Sequence, residues 1–250
     1  MREPKSIHIG TSGWHYQHWK GPFYPRELPD SRMLEYYAQH FQTAEINNTF
    51  YRLPEKETFA RWRDSVPEGF RFSVKASRYM THMKKLKDPA EPLANLGERV
   101  ATLGDKLGPI LFQLPPHWKP NIERLEGFLR ALPQGRRYAF EFRDPSWFGK
   151  QTEDALAERG AAFCIYDFEG RQSPRSVTSD FVYVRLHGPD GAYTGSYGHE
   201  ALTDWAESFS NWAGEGKEVY CYFDNDEKGY AAENALKLKE MLGGSQTGNP

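Results

Sequence analysis

Cysteine is scarce in this chain, and its apolar runs are short. The two cysteines, Cys164 and Cys221, lie far apart in separate strand-like segments. That excludes a disulfide framework or a Cys-rich zinc site and points to a reducing, cytoplasmic setting. No apolar run approaches the ~20 residues that span a bilayer, and Met1–Lys5 lacks the apolar stretch of a secretory signal. No membrane partner is expected. A formal net charge of −2 gives no global pull toward nucleic acid, so any anion binding must come from a local patch. The turn Gly10-Thr11-Ser12-Gly13 lacks the spacing of a dinucleotide fingerprint, and neither a P-loop nor an HExxH pair is present. What the chain does have is 250 residues, 38% of them hydrophobic and 15% aromatic, enough to build a substantial core.

That core is written as a repeated beat of strand and helix. Strands are expected at Ile7–Gly10, Thr43–Thr49, Arg71–Ser77, Ile110–Leu114, Tyr138–Arg143, Ala162–Asp167, Phe181–His187 and Glu218–Asp224. Helices are expected near Met33–His40 (capped by Asp30 or Ser31), Glu55–Ser65, Pro89–Lys106, Asn121–Leu132 (capped by Asn121), Thr152–Glu158, Glu200–Ala213 and Tyr230–Leu242. The segment Phe168–Asp180 reads as short and weakly helical. Eight strands alternating with helices predict an α/β fold, a single (β/α)8 TIM-type barrel over residues 7–242. Residues 1–6 read as a tail and residues 243–250 as a disordered tail.

In such a barrel the functional face lies at the C-terminal ends of the strands. There the alternation of Tyr138–Arg143 places Tyr138, Phe140 and Phe142 on one face and Glu141 and Arg143 on the other, with Pro145 ending the strand. Other strand ends repeat the arrangement: Glu45, Asn47 and Thr49; Lys75 and Ser77; Gln113; Asp167; Arg185 and His187; and Asp224 or Asn225. Buried charges persist only with internal partners, and polar clusters of this kind mark functional sites more often than structural ion-pair networks.

The motifs carrying these residues are GTSGW at Gly10–Trp14, EINNTFY at Glu45–Tyr51, SVKAS at Ser73–Ser77, FQLPP at Phe112–Pro116, FEFRDPSW at Phe140–Trp147, VRLHG at Val184–Gly188 and YFDND at Tyr222–Asp226. In this order they resemble the YecE-like family, domain-of-unknown-function family seventy-two, from about Ile7 to Leu242. The resemblance implies a (β/α)8 barrel and no particular activity. The family's last motif usually reads Phe-Asn-Asn; here it is Phe223-Asp224-Asn225, which adds an acid.

The constellation mixes Glu45, Glu141 and Asp167 with Lys75, Arg143 and Arg185, and His187 as the titrating group. Three cations among three acids argue against a metal site, so no metal or cofactor is expected. Arg143 and Arg185 offer forked donors for carboxylate or phosphate, and the Gly-rich loop from Gly188 suits an anion. Trp14, Trp147, Tyr193 and Tyr197 add rings that either stack on a ligand or seal the core.

The first reading is an enzyme, a metal-independent hydrolase or lyase, acting on a small anionic substrate. Glu45, Lys75, Glu141, Asp167 and His187 would be its catalytic set, with Trp14, Asn47, Gln113, Arg143, Trp147, Arg185, Gly188, Asp224 and Asn225 binding substrate. The second is nucleic-acid binding through an aromatic rim and the basic stretch His82–Lys87. The third is a binding module without turnover. Oligomeric state is not legible from sequence.

Overall fold

A computed structural model describes residues 6–244. The expected tails fall outside this range, except for Ser6, which lies outside regular structure, and Gly243 and Gly244, which still belong to the last helix. The strands are β1 (Ile7–Thr11), β2 (Thr43–Ile46), β3 (Arg71–Lys75), β4 (Leu107–Leu114), β5 (Tyr138–Phe142), β6 (Ala162–Phe168), β7 (Arg171–Gln172), β8 (Phe181–Leu186) and β9 (Glu218–Phe223). The helices are α1 (Met33–His40), α2 (Lys56–Asp64), α3 (Ala90–Val100), α4 (Ile122–Ala131), α5 (Lys150–Glu158), α6 (His199–Gly214) and α7 (Tyr230–Gly244). Apart from the two-residue β7, eight parallel strands follow the order β1-β9-β8-β6-β5-β4-β3-β2, the order of an α/β fold of the (β/α)8 barrel type. Among the described residues no helix is long and apolar enough to cross a membrane.

The chain resolves into two compact units. One takes the residues up to Ala44, Tyr166–Gln172 and the residues from Asp180 onward; the other takes Glu45–Ile165 and Ser173–Ser179.

In the first unit β1 lies parallel to β9, with Ile7 opposite Val219 and Thr11 opposite Phe223, and β9 lies parallel to β8. Beyond β1 the next neighbour is reached through a side chain. The buried Tyr37 hydroxyl accepts from Thr11 N at 2.9 Å and donates to Thr43 O at 3.0 Å. A Cβ on Gly10 would lie 2.2 Å from Thr43 O, so glycine is what lets the two segments approach this closely.

In the second unit β3, β4, β5 and the start of β6 run parallel. The alternation of β5 is realised as expected. Phe140 stacks on Phe112 at 5.2 Å and meets Phe128 of α4 edge-on, while Phe142 stacks on Phe163 and Trp147. Each ring contributes about 1.5–3 kcal/mol through burial. That apolar face leaves Glu141 to the other side.

Four local expectations are corrected. β2 stops at Ile46, and Asn48–Phe50 form a 3-10 turn, because the Thr49 hydroxyl donates to Lys75 O at 2.6 Å instead of extending the strand. Asn47 and Thr49 therefore do not share a strand face with Glu45. The start of α1 is not capped by Asp30 or Ser31: Asp30–Arg32 form a 3-10 turn, and the Asp30 carboxylate is taken by Gln17 and Lys20. The Pro89–Lys106 helix is broken after Val100, where a 3-10 segment carries Gly104 at φ +56°. After β6 there is no helix. Glu169 and Gly170, at φ +53° and +68°, turn the chain into β7, which pairs antiparallel with β6; two left-handed central residues are the signature of a type I′ hairpin. The Asn121 cap is present, its side chain accepting from Arg124 N at 2.9 Å.

Candidate functional site

Each unit holds its own polar cluster. In the second unit Gln113 and Glu141 are direct partners across the β4–β5 ladder, and Gln113 Nε2 donates to Glu141 Oε1 at 2.8 Å. Glu141 is fully buried. Arg143, two residues on and on the same face, sets its Nε against the same oxygen as an ion pair rather than an aligned hydrogen bond. The Cys164 thiol lies 4.0 Å from Glu141 Oε2. A fully buried carboxylate is tolerable because it is both paired and hydrogen-bonded.

Lys75 ends β3 with its Nζ 4.4 Å above the Phe50 ring, a cation–π contact. Beyond it the chain forms a π-helix, Tyr79–Met83, which places His82 edge-on to Phe50 at 5.0 Å. Burial lowers the pKa of His82 to about 4, helped by the charges of Lys75, Arg78 and Arg143 and opposed by Glu141. His82 therefore registers three cations against one acid. Among the described residues no carboxylate pairs with Arg78, which is exposed. Glu45 is fully buried on β2. Asn47 follows that strand, with its buried Oδ1 lacking a hydrogen-bond partner among the described residues. Trp147 is a wall residue: its ring stacks on Phe142 at 5.0 Å, and its indole N–H donates to Trp118 O at 2.5 Å.

In the first unit Arg185 is 1% exposed on β8. Its Nη2 donates to Asp224 Oδ2 at 3.0 Å and to Ser12 Oγ at 3.2 Å, and its Nη1 lies 3.3 Å from His187 Nε2. His187 Nδ1 is 3.0 Å from the same Asp224 oxygen, and its backbone N–H donates to Asp167 O at 2.9 Å. Asp224 thus serves two cationic or proton-bearing neighbours at once. Trp14 is buried nearby in sequence to Ser12, its carbonyl accepting from the Tyr24 hydroxyl at 2.5 Å.

The Gly-rich loop after β8 is tied down. Gly188 N donates to the Tyr197 hydroxyl at 3.0 Å. Burial, followed by the Asp167 carboxylate, holds that phenol well above its ordinary pKa. Gly188 sits at φ +115°, and a Cβ there would lie 2.2 Å from Thr194 O. Asn225 Nδ2 donates to Gly195 O at 2.9 Å and to Asn234 Oδ1 at 2.8 Å, and Asn234 Oδ1 also accepts from Tyr197 N at 3.0 Å. Asn225 is fully buried, and its Oδ1 has no hydrogen-bond partner among the described residues.

The expected residues thus gather as Gln113, Glu141, Arg143 and Lys75 in one unit and Asp167, Arg185, His187, Gly188, Asp224 and Asn225 in the other. Among the described residues no three His, Cys, Asp or Glu side chains converge as metal ligands. His82 and Arg78 were not singled out as site residues from the sequence. The only signal was the basic stretch that His82 begins; the π-helix that turns it toward Phe50 leaves no trace in composition.

Comparison with known proteins agrees with the fold. The UPF0759 protein YunF of Bacillus subtilis (strain 168) is 26% identical over 94% of both chains. The UPF0759 protein YecE of Escherichia coli (strain K12) is 31% identical over 62% of this chain and 54% of its own length. The crystal structure of a DUF72 family protein from Thermotoga maritima MSB8 superposes with a TM-score of 0.87 at 32% identity, covering 95% of this chain and 99% of that one. One from Enterococcus faecalis V583 superposes with a TM-score of 0.80 at 24% identity, covering 97% and 99%. The family model described as "Protein of unknown function DUF72" matches residues 8–250, and the chain belongs to that family.

Proposed function

We propose that the protein is an enzyme for a phosphate- or carboxylate-bearing substrate, bound by Lys75, Arg78 and Arg143 and worked on by Glu141 as general acid or base. The observation that carries this reading is the grouping of cations beside a buried acid: Lys75 and His82 pack on the same Phe50 ring, Arg143 pairs with Glu141, and the charges of Lys75, Arg78 and Arg143 all bear on His82. An incoming anion can take over the Arg143 guanidinium, whose planar fork suits carboxylate and phosphate. Glu141, relieved of its partner, is then basic enough to move a proton. The same cations would repel a divalent ion, so the proposed chemistry, hydrolysis or elimination, runs without a metal. Glu45, in the same unit, is a further candidate acid; in the other unit His187, between Arg185 and Asp224, is the candidate proton shuttle, with Asp167 as another candidate acid. The two buried thiols suit a reducing cytoplasm.

The test is calorimetric titration of inorganic phosphate, a sugar phosphate and a small dicarboxylate into the wild-type protein, Lys75→Ala and Arg78→Ala. Binding that weakens at least several-fold in both variants supports the reading, and equal binding in all three proteins overturns it. Substrate recovered unchanged from wild type, at concentrations that saturate it, would reduce the protein to a binding module.

A further inference from the structure

Beside these cations the protein leaves large rings in water. Most of its aromatic side chains are buried, yet Tyr51 is 74% exposed, Tyr79 44% and Met83 68%, with Tyr193 at 46% in the other unit. Phe50 connects them to the site: Tyr51 meets it edge-on at 5.1 Å, His82 at 5.0 Å from the other segment, and Lys75 sits over its face. Tyr79, His82 and Met83 all belong to the π-helix, a rare conformation that is frequent at functional sites.

The chain leaving that helix is strained and pinned. Lys85, Leu86 and Asp88 have φ of +47°, +66° and +45°, the left-handed region that non-glycine residues avoid. Lys84 N donates to Tyr79 O at 2.8 Å and Leu86 N to Met80 O at 2.9 Å. Leu86 is 2% exposed. Its burial acts as a peg that leaves Lys85 and Lys87 facing solvent. Lys84 Nζ lies 5.9 Å above the Tyr79 ring. Exposed rings thus alternate with cations along a short, fixed stretch of surface.

We propose that this surface binds single-stranded nucleic acid, with bases stacked on Tyr51 and Tyr79 and phosphates lying on Arg78 and Lys85. The proposal rests on the anionic-site reading above and names the substrate class: the phosphate presented to Arg143 and Lys75 belongs to a strand. Rings that accept any base face, interleaved with lysine and arginine, are the recurring chemistry of single-strand binding. A duplex would offer these rings no base face. A mononucleotide site would enclose most of its ligand, whereas these rings lie open.

The test is fluorescence anisotropy with a labelled oligothymidine about twelve nucleotides long, within the usual range of single-strand site sizes. It would be run over a salt series with wild type, Tyr51→Ala, Tyr79→Ala, Tyr51→Phe, Lys75→Ala and Arg78→Ala, with thymidine monophosphate and tripolyphosphate as competitors. Each Tyr→Ala change should weaken binding about tenfold, and Tyr51→Phe should restore it. Arg78→Ala should lower the salt slope by about 0.7. Tyr51 and Tyr79 are exposed, so their removal leaves the fold intact. The proposal is overturned if the oligonucleotide does not bind, if the Tyr→Ala variants bind it like wild type, or if the mononucleotide competes as well as the strand. Where the Tyr→Ala variants bind like wild type but phosphate still needs Lys75, only this proposal fails. Where they lose the strand but Lys75→Ala keeps phosphate and strand at wild-type affinity, the surface stands and the anionic-site reading fails.

Discussion

Replacing Arg143 with methionine keeps most of its volume and removes its charge. Glu141 would then be fully buried without its guanidinium partner, keeping the Gln113 amide at 2.8 Å and the Cys164 thiol at 4.0 Å. Breaking one partner from a buried ion pair costs about 3–5 kcal/mol, mostly the penalty of the stranded charge. Arg143 is itself only 10% exposed at its side chain, so solvent screening does little to soften that cost. With a urea m-value of about 2.5 kcal/mol/M, the unfolding midpoint should fall by about 1–2 M. The double variant Arg143→Met/Glu141→Gln removes the stranded charge as well and should recover more than half of the loss. Urea unfolding of wild type, both single variants and the double variant gives the coupling directly. A loss below about 1 kcal/mol for Arg143→Met would place the pair with exposed salt bridges. That result, or a double variant no more stable than Arg143→Met, would refute the account of Glu141 as a buried carboxylate dependent on Arg143.

Two further outcomes follow from neighbouring geometry. His82 should titrate near pH 4 by NMR, below its unfolded value of about 6.5. Its contribution to stability should therefore be full above pH 6.5 and lost as pH falls toward 4, and a bound anion should raise the midpoint by offsetting the cations. A midpoint near 6.5 would remove the cationic cluster from the argument. Tyr37→Phe should leave Thr11 N–H and Thr43 C=O without the hydroxyl that joins them, at about 1–3 kcal/mol for each orphaned group. Thermal unfolding that does not shift would show that backbone movement or solvent satisfies both.

Much of the fold was legible because two periods dominate the chain. Alternation in Tyr138–Phe142 fixed both the strand and the face carrying Glu141, since Phe140 and Phe142 have neighbouring rings to pack against. The Asn121 cap was readable for a similarly local reason, a side-chain oxygen one turn from a free backbone N–H. The misses lie where a side chain reached outside its own segment. Thr49 ended β2 by bonding to the end of β3, and Asp30 was drawn from its capping role by Gln17 and Lys20. The Glu169-Gly170 hairpin was overlooked because glutamate rarely takes a left-handed conformation. At the site, parity correctly matched Glu141 with Arg143 and Arg185 with His187. It had no means of locating His82, whose position depends on a π-helix rather than on either period.

The loop after β8 is rich in glycine yet anchored at Gly195 and Tyr197 by Asn225 and by Asn234 of α7. Lifting it would strip Asn234 Oδ1 of the Tyr197 N–H, Asn234 Nδ2 of the Ser196 hydroxyl and Asn225 Nδ2 of the Gly195 carbonyl. Opening the loop and loosening the first turns of α7 are therefore one cooperative event, not two independent ones. Amide exchange at Tyr197 should keep pace with α7, so the lifetime of the closed loop is set by a helix that begins more than thirty residues further along the chain.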